Sequence, residues 1–583
     1  MTQTATESSL IQYARKYEVW IATLAILITN LLTLGRYTFS LGIYYDEYVT
    51  FYVIERFGWR ELINLAGGQA REAAGILIGL AHTNYAIGHI IMFVISTGCA
   101  LLLLWLVRRV FSDATWLGGL VGLLYLLYPA YFMRVYLTAL SIEGSLLVLL
   151  ISFVMSYFAV REKGILRWLL VVLSILAMPL YISFYEMSVV AEILRPFVIL
   201  AAMRDKSDGQ SLFSLFIDAC KWSVLWVIAG GVVVVDRLIL FEPYGFYETV
   251  NYNANIDLPN NFGELFTLVF GSSQTFQALL FRVWQVVFTD LNRWLTSPID
   301  IAISLFIAIL SAGLTLLAKP TQRDKFTWLQ PILLIIVGFG IVIATHAVFI
   351  LTGRPLSDTA YFFSSGSRFY IITLIGILFI ILGTGWLLTI ILPRPAGKII
   401  LASFIAVMLL SGSLVRQTWR QQHTDSWLNL RDFMWQLSEI APNLEDGTVV
   451  IVDDDILEIG LSYITFSMGD LFYDNTEIFF VRADDATPDN LPNFALDNGD
   501  WGFSWQPTSD AVILAYRDTD ACVQILDPSN PLGDVLSDNA LAVLPILHPT
   551  PSDFILDTPI DSMTTRLRYF PRPETLACEV VTD

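Results

Sequence analysis

Two adjacent carboxylates, Asp46 and Glu47, are the first residues of the chain whose types and spacing could do chemistry. They stand a few residues beyond an apolar run that begins near Trp20. A carboxylate held at the edge of a bilayer could take a proton from a hydroxyl, or hold a divalent cation against a phosphate. The same pair could equally cap a helix, because acids favour helix N-termini. Arg134 and Glu143 form a second group, in and just after a later loop on the same side. Ionisable groups at membrane depth are costly and mark function, whereas at the boundary snorkelling makes them cheap. Tyr185-Glu186 falls between two closely spaced apolar runs, where Glu186 has little room to reach water. Arg354 and Arg368 flank another loop. A planar guanidinium suits bidentate phosphate binding; the alternative is pairing with Asp358 or with lipid headgroups. His82 and His89 lie near the outer end of the second apolar run, as ligands or as packed, hydrogen-bonded histidines. Asp453-Asp454-Asp455 lacks the following glycine and the spaced acids of a calcium loop and reads as a solvated turn.

The elements that must position these residues follow from hydropathy. The chain has 583 residues, of which 55% are hydrophobic and only 15% charged, against about 25% charged in ordinary soluble domains. A membrane span needs about 20 apolar residues. Eleven such runs are predicted, at roughly 19–39, 84–107, 114–131, 142–160, 165–181, 184–203, 218–240, 298–318, 327–351, 368–391 and 397–415. The fifth and sixth are separated only by Pro179 and the polar cluster Ser183, Tyr185 and Glu186. The first is not a cleaved signal, since Asn30 interrupts it and no small-residue cleavage site follows. Lysine and arginine concentrate in alternate loops: Arg15–Lys16, Arg108–Arg109, Arg161–Lys163–Arg167, Arg204–Lys206–Lys221, Lys319–Arg323–Lys325 and Arg394–Lys398. With eleven spans all six lie on one side, which puts the N-terminus in the cytoplasm and the C-terminus outside. Two outer loops are long, 41–82 and 241–297. In the first, a helix from Glu47 would align Phe51, Ile54, Gly58, Leu62 and Leu65, with Arg56, Arg60 and Asn64 opposite, the pattern of a helix lying in the interface.

The chain therefore divides into a membrane part, 1–415, and a soluble part, 416–583. The soluble part holds 29 of the 53 acidic residues and 8 of the 34 basic ones, a net of −21, while residues 1–415 net +2. So acidic a tail should be soluble and excludes nucleic acid as a partner. Its pattern predicts a helix over 416–440, β runs at Thr448–Val452, Glu477–Val481, Ala511–Ala515 and Val523–Leu526, and a helix within Ile456–Leu471. That alternation is the signature of a small α/β domain. Of the four cysteines, Cys99 and Cys220 fall in or beside spans, and Cys522 and Cys578 could pair if the tail lies outside the cytoplasm.

The order of these parts resembles the GT-C superfamily of integral membrane glycosyltransferases, including its protein mannosyltransferase and aminoarabinose transferase branches. The matching pieces, in 1–415, are a first span followed by Asp46-Glu47, a His-containing span from His89 to Arg109, and "LLYLLYPAYFMRVYLTALSIEGSLLVLL" with Pro129 before an outer loop. They continue with "LLVVLSILAMPLYISFYEMSVV" and the Arg-headed "SGSRFYIITLIGIL". Where the family carries a lysine before the glutamate, this chain has Tyr185. The resemblance implies an α-helical polytopic fold in the plasma membrane and sugar transfer, with inversion, from a polyprenyl-phosphate-linked donor at the outer face. It implies Asp46 as the base on the acceptor hydroxyl, with Glu47 in support. Arg134, Arg354 and Arg368, with His82, His89, Glu143, Tyr185 and Glu186, would then line the donor site. The acceptor would be a glycan, lipid or protein, and Mg or Mn on Asp46 and Glu47 is the cofactor used in some branches. Two other classes fit the composition. A scaffold or sensor would work through the tail. A transporter would need a midplane path and internal repeats, and no repeat is found.

Overall fold

A computed structural model describes residues 17–44, 47–67, 71–111, 114–206, 211–236, 277–295, 297–317, 328–351 and 370–453, and beyond these 462–473, 478–484, 486, 496–498, 503–505, 512–518, 522–529, 536–544, 547, 555–556, 563–573, 576 and 578. In chain order the membrane part contains α1 (Glu18–Thr33), α2 (Glu47–Phe57), α3 (Trp59–Gly67), α4 (Glu72–Gly79), α5 (Tyr85–Val110), α6 (Trp116–Leu127), α7 (Ala139–Arg161), α8 (Gly164–Phe184), α9 (Arg195–Arg204), α10 (Leu212–Val234), α11 (Val283–Thr289), α12 (Leu291–Trp294), α13 (Pro298–Leu317), α14 (Leu329–Leu351), α15 (Ile371–Ile391) and α16 (Arg394–Ile440).

Among the described residues, eight helices are long and apolar enough to cross a membrane. Helix is the form this sequence must take in lipid, because each backbone N–H and C=O there needs a partner within the chain. Each of the eight coincides with one of the eleven predicted spans. Of the other three, the span 327–351 corresponds to α14, a helix of 23 residues, whereas α6 has only 12. The run 184–203 is divided: α8 ends at Phe184, a 3₁₀ turn runs Glu186–Leu194, and α9 follows. Pro179 sits inside α8 without ending it.

Polar and small residues join the bundle. The Asn30 amide of α1 reaches α5, donating to Thr97 Oγ1 (2.8 Å), Ser96 Oγ (3.1 Å) and Phe93 O (3.2 Å). A side-chain amide in an apolar helix commonly serves as such interhelical glue. At the α14–α15 crossing, Gly338 and Gly376 bring the two backbones together. A Cβ on Gly338 would lie 2.5 Å from the Gly376 carbonyl oxygen, and one on Gly376 would lie 2.6 Å from that of Gly338. Arg108, Arg109, Arg161 and Arg204 gather at one end of the bundle. Arg108 lies 3.7 Å from Glu18, and Arg109 and Arg161 lie 3.7 and 3.8 Å from Asp205. These are loops that the Lys/Arg alternation assigned to one side.

The C-terminal part carries a four-stranded sheet of β1 (Val449–Val452), β2 (Phe479–Arg482), β3 (Val512–Arg517) and β4 (Val523–Ile525). The order is β2-β1-β3-β4, with β1 parallel to both neighbours and β4 antiparallel to β3. All four residues of β1 are buried, as an unbroken Val/Ile run in a central parallel strand requires. Three helices accompany the sheet: α17 (Ser462–Tyr473), α18 (Asp538–Val543) and α19 (Met563–Tyr569). Cys522 and Cys578 form a disulfide, with Cα atoms 5.1 Å apart. The molecule is thus a helical membrane protein bearing a small mixed-sheet domain.

α16 connects the two parts without a break. Its 47 residues span about 70 Å at 1.5 Å per residue. The change of composition near 415 is a change of surroundings along one helix. The sheet domain in turn folds back onto the first long loop. α2 and α3 are separated at Gly58, whose φ of +85° suits glycine. Phe51, Ile54 and Leu62 are buried, and Arg56, Arg60 and Asn64 are exposed opposite them, as the stripe predicted. On α2, however, protein covers part of that stripe: Phe51 stacks on Tyr569 (5.3 Å between centroids), and Tyr48 stacks on Phe570 (6.1 Å).

Candidate functional site

α6 ends at Leu127, which leaves its last carbonyls without helical partners. Arg134 folds back onto them, donating through Nη1 to Tyr125 O (3.2 Å) and Leu126 O (2.9 Å). Arg416 of α16 donates through Nη2 to Tyr128 O (3.1 Å), just beyond the end of α6. Cations are favoured at this end of a helix. On its other edge Arg134 donates through Nε to Glu143 Oε1 (2.6 Å), and Tyr125 Oη donates to the second oxygen of Glu143. The two ionisable residues marked in the sequence are thus one ion pair, with Arg134 1% and Glu143 0% exposed. Arg420, one turn beyond Arg416 on the same face of α16, donates to Thr33 O at the end of α1.

Arg134, Arg416 and Arg420 lie within electrostatic reach of one another. Glu143 neutralises one of these three charges; Asp300, near by, is taken by Arg36 at 2.5 Å. Among the described residues, each of the three guanidiniums keeps a buried N–H without an acceptor: Nη2 of Arg134, Nε of Arg416 and Nε of Arg420. The hydroxyls of Tyr131 and Tyr37, beside the cluster, are also buried without partners. Arg195 is the contrasting case. It is equally buried, but it is held by Glu192, by Ser152 Oγ (3.0 Å) and by Ser156 Oγ, so its donors are all used.

The first long loop and α16 are laced together beside this cluster. Glu47 is fully buried at the start of α2. Its oxygens accept from Tyr44 N (3.0 Å) and Thr138 N (2.9 Å), which ties α2 to the loop bearing Arg134. Tyr44 Oη donates to His423 O (2.7 Å). His423 Nδ1 faces Trp419 O (3.0 Å), which places its proton there and leaves Nε2 to accept from Tyr136 Oη (2.9 Å). His89, also buried, donates through Nε2 to Gly42 O (2.9 Å). Gly42 abuts the Trp427 ring of α16 so closely that a Cβ would lie 2.0 Å from it.

The other sequence candidates lie apart from this group. Glu186 is clasped by Arg71 through Nε (3.0 Å) and Nη2 (2.5 Å), and the Arg71 guanidinium lies 5.7 Å from the centre of the Tyr185 ring. His82 Nε2 meets Glu55 Oε1 (2.8 Å), which also accepts from Tyr569 Oη (2.7 Å) and Arg568 of the sheet domain. Burial holds His82 below its usual pKa, with the Glu55 carboxylate opposing. Asp46, Arg354 and Arg368 lie outside the described residues. Among the described residues no group of three or more His, Cys, Asp or Glu could hold a metal ion, and both Glu47 oxygens already accept backbone N–H groups.

Arg416, Arg420 and His423 escaped the sequence reading because they were counted as the first residues of the soluble tail. Their signal was present: two arginines four apart, directly after the apolar run ending in Leu414-Val415. Arg71, within the long loop 41–82, was not among the sequence candidates. No protein-family model matches the chain, and no curated protein matches it.

Proposed function

We propose that this chain is a GT-C-type glycosyltransferase, which moves a sugar from a polyprenyl-phosphate donor to a hydroxyl of a glycan, lipid or protein acceptor at the outer face of the plasma membrane. The observation that carries the reading is the set of three buried arginines facing one carboxylate, each with an unsatisfied interior N–H. A buried charge without a counter-charge is expensive. A phosphodiester supplies both the missing charge and the missing acceptors, in the geometry that guanidiniums recognise. In this reading the acceptor oxygen attacks the anomeric carbon as the bond from that carbon to the phosphate oxygen breaks. Asp46 takes the hydroxyl proton. The leaving polyprenyl phosphate gains a negative charge, which Arg416 and Arg420 are placed to stabilise. Glu47 anchors the start of α2 beside Asp46 in sequence. The N-terminus is then cytoplasmic and the sheet domain external, in keeping with the grouping of Arg108, Arg109, Arg161 and Arg204 at one end.

The test uses full-length protein in liposomes with a defined polyprenyl-phosphate sugar. Asp46→Asn should lower turnover about 10²–10⁴-fold, the usual worth of a general base, with donor binding intact. Arg416→Gln and Arg420→Gln should instead weaken donor binding. Well-expressed Asp46→Asn protein that transfers sugar at the wild-type rate would remove the base assignment. Wild-type protein that binds no such donor would overturn the proposal and favour a scaffold. The docking of the sheet domain on α2 gives that second reading its support.

A further inference from the structure

We propose that a basic crevice at the end of the bundle remote from the sheet domain binds the phosphate headgroup of an anionic phospholipid. The crevice lies where the α7–α8 turn, the end of α9 and the first turns of α10 converge, and its cavity is about 380 Å³. Arg167, Lys206 and Lys221 enter it, one from each of these three segments. The acid that lines it is Asp218, held by Lys221 at 2.9 Å. The lining therefore carries a net charge of +2, which the single negative charge of a phosphodiester would partly offset.

Two of the cations are held in place before any ligand arrives. Arg167 donates through Nε to Glu162 O (3.0 Å), and its guanidinium lies 5.8 Å from the centre of the Trp222 ring. Lys206 Nζ donates to Val160 O (3.3 Å). Each keeps further N–H donors, because a guanidinium has five and an ammonium three. Backbone anchoring and an aromatic wall separate this arrangement from an ordinary solvated run of lysines.

The choice of a lipid over a free phosphate rests on what flanks the crevice. Ile165, Trp168 and Leu169 of α8 and Phe213, Phe216 and Ile217 of α10 are exposed apolar side chains on the elements that form it. Acyl chains would run along these faces, while a free phosphate has no use for them. Tryptophan is enriched at the headgroup level, and Trp222 forms part of the wall. Basic pockets between helices on the cytoplasmic side are the usual form of headgroup sites. This site is at the far end of the bundle from the arginine cluster, so it stands or falls independently of the transferase reading.

The experiment reconstitutes full-length protein in nanodiscs of phosphatidylglycerol or phosphatidylcholine and counts retained lipids by native mass spectrometry. Wild-type protein should retain phosphatidylglycerol about tenfold or more over phosphatidylcholine, at roughly 1 kcal/mol for each basic residue near the surface. Combined Arg167→Gln, Lys206→Gln and Lys221→Gln should abolish the preference. Asp218→Asn, which removes the competing acid, should strengthen it, and it tests the site even if the triple variant folds poorly. Equal retention of the two lipids by wild-type protein, or an unchanged preference in a folded triple variant, would overturn the proposal. So would displacement by inorganic phosphate alone, which would assign the crevice to a soluble phosphate compound.

Discussion

Arg195 and Arg420 are both buried arginines in apolar surroundings, yet they should respond to mutation in opposite ways. Arg195 closes a network with Glu192, Ser152 and Ser156. Arg195→Leu would leave the half-buried Glu192 carboxylate with only Tyr181 Oη as a donor among the described residues, and breaking a pair in this way costs up to about 3 kcal/mol. The expected result is a large fall in thermal midpoint or in the yield of folded protein. Arg420→Gln removes a charge that has no carboxylate partner, and an N–H that has no acceptor, among the described residues, so the midpoint should hold steady or rise. Under the proposed function, what this variant should lose is stabilisation by added polyprenyl-phosphate sugar. A midpoint that falls as far in Arg420→Gln as in Arg195→Leu would mean that Arg420 is structural. The difference between these residues was not legible in the sequence. Type and depth can be read from one dimension, and on that basis Arg134, Glu143 and Glu186 stood out. Whether a guanidinium is satisfied depends on distant segments, such as the Thr33 carbonyl that Arg420 reaches across 387 positions.

Long elements with strong patterns were legible because their periodicity is local. β1 and β3 fall within a residue or two of the predicted runs, and eight spans coincide with apolar helices of spanning length. The short elements were not, because tertiary contacts supply what their own length lacks. α6 is only 12 residues long, and its C-terminal carbonyls are satisfied by Arg134 and Arg416 inside the protein. A backbone end buried in this way is tolerated at membrane depth. The glycine contact between α14 and α15 was equally hidden, since a sequence does not say which small residues face each other. Gly376→Leu should drive those helices apart, because the nearest obstacle is a backbone oxygen that cannot turn away. Overpacking of this kind costs about 1–3 kcal/mol, and the midpoint of purified Gly376→Leu protein should fall accordingly. Gly313→Ala, at an open helical position, is the matched control and should change little.

For the whole molecule, the main surprise is that the acidic domain returns to the first long loop. The expected orientation puts both outside, and it can be checked with an impermeant thiol reagent on intact cells. Cysteines placed at Ser207 and Thr321 should be shielded, and one at Asn255 should be labelled; equal labelling of all three would sink the arrangement. The junction also carries a pH dependence. Burial, opposed by Glu55, holds His82 below its ordinary value of 6.5. A histidine depressed in the folded state favours docking fully above 6.5 and loses that contribution as pH falls through its folded value. Protection factors of amides in α2 and α19, taken relative to the intrinsic exchange rate at each pH, should therefore fall as the pH drops below about 6.5, and His82→Gln should flatten the dependence. Reducing the Cys522–Cys578 bridge should loosen the sheet domain by roughly 2–5 kcal/mol.

α16 has a mechanical consequence. It rests on the end of α6 at Gly412, where a Cβ would lie 2.2 Å from the Leu127 carbonyl oxygen, and that contact can serve as a fulcrum. Ile440, where the helix ends, is about 42 Å further along at 1.5 Å per residue, while Arg416 and Arg420 are only about 6 and 12 Å from the pivot. A tilt that carries the far end about 4 Å moves the two guanidiniums by about 1 Å or less, at the same helical rise. The shaft thus gears large displacements of the sheet domain down to fine adjustments among the buried arginines. Force applied at the domain is correspondingly multiplied at the cluster.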